Sequence, residues 1–166
     1  MDTIAPSALS TLAAMPDAFA ALAAGARYRG FDGDWTPFEC LAHVVDISEH
    51  AFRQRIGRVL EHDRPRIMPV DPPALLRAGG YQRYSIDELL ARFRDERTQD
   101  LAWLRSLSAA DLGRFGVHDE AGEVRAAEFV NYWPCHEIAH LRQAAAAVRT
   151  ELLTAIGPMG MFLDDV

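Results

Sequence analysis

Thr36-Pro37-Phe38-Glu39 is the stretch from which the rest of the chain can be read. It joins a threonine fit to cap a helix, a proline at the first helical position, and a glutamate three residues after the cap that can turn back on the cap's own N–H. The spacing predicts a long helix from there to about His62, with Phe38, Leu41, Val45, Phe52, Ile56 and Val59 on one apolar stripe. Ser85-Ile86-Asp87-Glu88 is a second capping box, opening a helix to about Leu107 along Leu89, Leu90, Phe93, Leu101 and Leu104. Ser108 to Asp111 reads as a short extra turn. A further helix is expected from about Arg125 to Ile156, stopped by Gly157-Pro158 and kinked by Pro134 one turn before His136.

The segment from Ile4 to Ala24 also reads as helix, broken by Pro16. Residues 63–84 hold Pro65, Pro69, Pro72, Pro73, Gly79 and Gly80 without periodicity, and residues 113–124 read as a polar, Gly-containing loop. No alternation of apolar and polar residues argues for a sheet. The expectation is an all-α fold, a four-helix bundle with a long crossover between the second and third helices, as one domain over residues 1–166.

Composition narrows the function. Of 166 residues, 49% are hydrophobic and 25% charged, which excludes a disordered chain. A net charge of -7 disfavours nucleic-acid partners, which call for clustered cations. No stretch of ~18 uncharged apolar residues is present to span a membrane. All 17 cations are arginines, so lysine nucleophiles and Schiff-base chemistry are out. Two cysteines, Cys40 and Cys135, make no secreted-type disulfide framework. The Ala-rich N-terminal stretch carries Asp2 where a leader would be basic, so it reads as mature structure and the chain as cytoplasmic.

Six histidines remain: His43, His50, His62, His118, His136 and His140. His136 and His140 stand at i and i+4, which puts both rings on one helix face, able to grip one divalent ion. The letters also spell H-E-x-x-H, the zinc-protease signature. Only 26 residues follow His140, however, and Glu151, the one glutamate among them, lies on the same helix. A third ligand is better sought upstream. His43, in the middle of an amphipathic helix, completes a three-histidine set on facing helices that leaves positions open for water or substrate. Asp46, one turn after His43, is a candidate to orient a ligand or a bound water. Glu137 is a candidate to assist the chemistry, although ~100° around the helix from His136. Lone histidines are more often hydrogen-bonded core or surface residues, and buried free cysteines more often apolar filler.

Taken together, Trp35-Thr36-Pro37-Phe38-Glu39-Cys40-Leu41-Ala42-His43 resembles the W-[ST]-P-x-E-x-x-x-H segment of the DinB-like superfamily. His136-x-x-x-His140-Leu141-Arg142-Gln143 resembles that family's closing H-x-x-x-H-x-x-Q helix. Tyr81, the run Phe93 to Arg97, the Leu104 to Leu112 segment and Gly116-Val117-His118 also fit, so the likeness spans roughly Leu12 to Arg149. The resemblance implies a four-helix bundle, often a homodimer, with zinc, nickel or a similar ion (manganese or iron among them) on His43, His136 and His140. Related branches are S-transferases or isomerases that use low-molecular-weight thiols, and a small-molecule substrate with such a thiol is implied. A metal-dependent hydrolase is the runner-up, and a non-catalytic metal- or ligand-binding stress protein the reading from another class. Cys135, beside His136, stands as a competing ligand. The apolar tail Met159 to Leu163 is expected to close the core or, preferably, meet a second copy.

Overall fold

The structure, a computed structural model, describes residues 3–31 and 33–163. Four long rods carry the fold. The first is α1 (Ala8–Ala23). The second begins as α2 (Pro37–Ile47), passes through a π-helical stretch at Ser48–Arg53, and continues as α3 (Gln54–Glu61). The third is α5 (Ile86–Ser106) and the fourth α7 (Ala126–Leu153). α1 packs on α5 and α7, and α2 also packs on α5 and α7, which closes a four-helix bundle. Short helices α4 (Pro72–Gly79) and α6 (Ala109–Gly113) fill the connections.

Both predicted capping boxes form. Ser85 accepts from the Glu88 N–H at 3.2 Å while Glu88 accepts from the Ser85 N–H at 2.7 Å. Thr36 and Glu39 make the corresponding pair at α2. Asp71 caps α4, accepting from the Ala74 N–H at 3.0 Å. The expected break at Pro16 does not occur: α1 runs through it. A proline in a helix interior forgoes one backbone hydrogen bond, but Pro16 is buried between Met15 and Phe19, so packing offsets the loss. α7 likewise continues through buried Pro134. It ends at Leu153, three residues before the expected stop.

The two regions read as loops hold a small sheet instead. β1 (Arg66–Ile67) pairs in parallel with β2 (Phe115–His118), which pairs antiparallel with β3 (Gly122–Arg125). Strands this short show no apolar alternation, and their burial is irregular. The hairpin turn relies on Gly122 at φ 75, and His118 Nδ1 accepts from the N–H of Glu120 at 3.2 Å. Gly116 is required for another reason: a Cβ there would lie 2.9 Å from both Ile67 Cγ1 and the Pro65 carbonyl.

Two apolar clusters fill the bundle. One gathers Leu12, Phe52, Ile56, Val59, Leu104 and Trp133, the other Phe19, Phe38, Leu41, Tyr81, Leu89 and Phe93. Each such side chain contributes roughly 1.5–3 kcal/mol by its burial. The buried polar residues all lie on three of the rods: Glu39, His43, Asp46 and Ser48 on the second, Arg97 and Asp100 on the third, Glu137 on the fourth. That polar layer is the setting of the site.

Candidate metal centre

α2 and α7 pack side by side, and their facing surfaces bring three imidazoles together. His43 comes from α2, and His136 and His140 from successive turns of α7. One ligand nitrogen from each lies within 4.8 Å of the other two. The ring centroids are 5.2 Å apart for His43 and His136, 4.4 Å for His43 and His140, and 4.6 Å for His136 and His140. His43 Nε2 and His136 Nε2 face each other at 3.4 Å. Nitrogens bound tetrahedrally at ~2.0–2.1 Å from one ion stand about 3.4 Å apart, so this pair already has the spacing of two ligands to one ion.

Charge and hydrogen bonding agree with that use. Burial, then the neighbouring His140 and His136, push the His43 pKa down to about 3. Burial and His140 push His136 down to about 4, and burial lowers His140 as well. All three rings are therefore neutral near pH 7, the form that ligates. Gln143 Oε1 accepts from His140 Nδ1 at 3.1 Å, which leaves the Nε2 lone pair for a cation. His43 Nδ1 and His136 Nδ1 are buried without a partner. Aromatic rings wall the cluster: Trp35 stacks on His140 at 5.8 Å and tilts on His43 at 5.1 Å. Phe52 and Tyr132 lie edge-on to His136 at 5.6 and 6.2 Å.

The two carboxylates singled out from sequence are not brought into the cluster. Asp46 accepts from the Tyr81 hydroxyl at 2.7 Å, and His50 Nδ1 stands 3.1 Å from the Asp46 carbonyl and 3.8 Å from Oδ1. Burial raises the Asp46 carboxyl above its usual range, and its Oδ2 is buried without a partner. Glu137 is 1% exposed and turned into the bundle. There its Oε1 accepts from Arg97, from Trp133 Nε1 at 2.8 Å and from the Ser48 hydroxyl at 3.3 Å. Its letters match a zinc-protease base, but its side chain serves an ion pair. Nor do the cysteines join: Cys40 is buried, its thiol pushed up to about 12 by burial and by Glu39, and exposed Cys135 donates to the Asn131 carbonyl at 3.5 Å. Reading by spacing assigned no task to Gln143, Trp35, Tyr81 or Arg97. Only the family pattern marked them.

A four-helix bundle with three convergent histidines defines a class, and the sequence places the chain in it: residues 7–144 match the DinB superfamily, and the protein belongs to that family. Among solved structures it is similar to YfiT from Bacillus subtilis, with a TM-score of 0.75 and 17% identity over 91% of each chain. YfiT is described as "a probable metal-dependent hydrolase with an unusual four-helix bundle topology". Among curated proteins, none matches this chain.

Proposed function

We propose that this protein is a metal-dependent enzyme that binds one divalent ion on His43, His136 and His140 and transfers a small thiol to an electrophilic substrate. The convergence of three neutral imidazoles at ligand spacing carries the metal part of this reading. Imidazole donors suit zinc or nickel best, with manganese and iron as the harder alternatives. A divalent cation held there lowers the pKa of a bound thiol or water and polarises the bond under attack.

The protein's own residues supply position and surroundings. Gln143 sets the His140 tautomer, and Trp35, Phe52 and Tyr132 give the site apolar walls suited to a soft nucleophile. Among the described residues no carboxylate oxygen shares the cluster, which favours a thiolate, needing no base once formed, over a water that must lose a proton to one. The likeness to YfiT supports a second reading, hydrolysis, with Asp46 as the nearest carboxylate along α2 to assist. The partners in this proposal are a small-molecule substrate and a second copy of the chain. The exposed tail supports the latter: Met159, Met161 and Phe162 are 62%, 71% and 65% exposed, so the tail does not close the core. No helix among the described residues is long and apolar enough to cross a membrane, and a cytoplasmic setting belongs to the proposal.

Elemental analysis of untagged protein tests the metal, with His43→Ala, His136→Ala and His140→Ala beside the wild type. Near-stoichiometric zinc or nickel, lost in each variant, is the expected result. Metal retained in the His136→Ala protein would overturn the site. Thiol-adduct formation with a model electrophile, against ester and amide hydrolysis by the same metal-loaded protein, then separates the two activities. A protein that holds metal and does neither is a binding protein.

A further inference from the structure

The segment from Trp35 to Glu39 does more than begin a helix. Glu39 is fully buried, and its carboxylate gathers three donors from the chain before α2: the Arg29 N–H at 2.5 Å, the Thr36 N–H at 2.9 Å and the Thr36 hydroxyl. A helix cap needs only the Thr36 contacts. The bond to Arg29, ten residues away, ties the far end of the loop to the same carboxylate. Around the two anchors, Tyr28 packs edge-on to Phe31 and Phe38, and between them Phe31 packs edge-on to Trp35 at 5.7 Å. Trp35 Nε1 donates to the Phe31 carbonyl at 3.3 Å. The indole so held lies against His140 and His43, two of the three candidate ligands.

We propose that Glu39 is a positioning residue for the metal centre and acts through Trp35. The inference rests on the metal-binding reading above. An indole face carries partial negative charge, so it favours the positive charge that His43 and His140 acquire on ligating a cation. Contact with the indole, stacked on His140 and tilted on His43, also limits rotation of both imidazoles before the ion arrives, so less ordering is left to be done on binding. A carboxylate suits the task because both of its oxygens accept. Glutamine in its place has one acceptor oxygen, and its NH2 would face an Arg29 or Thr36 donor. The loop would then slacken and Trp35 would leave the imidazoles, with no ligand altered.

Cobalt(II) affinity, by competition with a chromophoric chelator, tests this in the wild type, Glu39→Gln, Trp35→Ala, Trp35→Phe and the Glu39→Gln/Trp35→Ala double variant. Each alanine or glutamine single variant is expected to bind Co(II) about 10-fold more weakly, the size of effect seen when groups supporting metal ligands are removed. Trp35→Phe falls between these and the wild type. Because Glu39 acts through Trp35, the double variant loses no more than the larger single loss. Wild-type affinity in Trp35→Ala, or losses that add in the double variant, would overturn the proposal. If Glu39→Gln does not fold, Thr36→Val, which deletes one of the three donors, takes its place. A merely structural Glu39 would lower the melting temperature and leave the affinity of the folded protein unchanged, which also overturns it. A wild type that binds no Co(II) removes the metal reading and this proposal together; a wild type that binds, beside an unaffected Trp35→Ala, removes this proposal alone.

Discussion

His136 and Glu137 are adjacent in sequence and opposite in circumstance. His136 turns toward α2, where it meets two other neutral rings and keeps a ring nitrogen without a protein partner. Glu137 turns into the bundle, where Arg97, Trp133 and Ser48 all donate to one of its oxygens. Arg97 is itself held over the rings of Phe93 and Trp133, at 5.0 and 5.1 Å. One residue of helix is ~100° of rotation, enough to separate a candidate reactive surface from a sealed ion pair. A motif read as letters does not say which helix faces which residue, and here that decides the chemistry.

The comparison can be broken most forcefully at the ion pair. Removing one member of a buried pair leaves the other charge uncompensated, so Arg97→Ala is expected to destabilise the fold by ~3–5 kcal/mol in urea unfolding. Whatever remains folded should still take up metal. Loss of metal at unchanged stability would mean that Arg97 belongs to the site.

Acidification sharpens the contrast, because the two surroundings titrate with opposite sign. His43 and His136 sit at about 3 and about 4 in the fold against an ordinary 6.5 when unfolded. Below pH 6.5 the unfolded chain binds the extra protons, so stability falls as pH drops from 6.5 toward 4. At pH 5, 1.5 units below the unfolded value, His43 alone costs on the order of 2 kcal/mol. Burial, against the pull of Arg97, raises Glu137 to about 7, so its contribution runs the other way and weakens the fold as pH rises from 4.5 to 7. Denaturant midpoints from pH 7 to 4.5 in metal-free protein should therefore show a loss on acidification that is smaller in the variant His43→Ala, where only the share of His136 and His140 remains. An equal loss in that variant would refute the histidine assignment.

The smallest effect is expected at Gln143. Gln143→Ala frees His140 Nδ1 and should weaken metal binding about 10-fold, or 1.4 kcal/mol, with little change in unfolding. A change in unfolding without one in affinity would place Gln143 with the structural residues.

Much of this was legible in the sequence, for local reasons. Capping boxes and apolar stripes depend on neighbours three and four residues away, so the four rods could be placed before any contact was known. The i,i+4 pair His136 and His140 was legible for the same reason, and His43 followed from its place in the middle of an amphipathic helix facing that pair. Arg97 as the partner of Glu137 was not, because the two are 40 residues apart and meet only through the core. The Trp35 stack on His140 depends in the same way on a loop closing back. The sheet escaped because its strands are two to four residues long, and Gly116 shows its reason only once Ile67 lies against it. Pro16 misled because a local rule on helix breaking was outweighed by burial.

The π-helical stretch at Ser48–Arg53 has a consequence for how this chain tolerates change in length. A wider turn holds one more residue than an α-turn, so it takes up that residue without turning one half of the rod against the other. His43 before it faces α7 for the site, and Ile56 and Val59 after it face the core. Deleting a single residue within 48–53 would let the wide turn close into an α-turn and leave both faces nearly in place, whereas a deletion in the regular turns on either side would rotate one half by ~100° against the other. Either the histidine would then leave its partners or the apolar side chains would turn toward water. The rod can therefore lose a residue at this stretch far more readily than anywhere else along it.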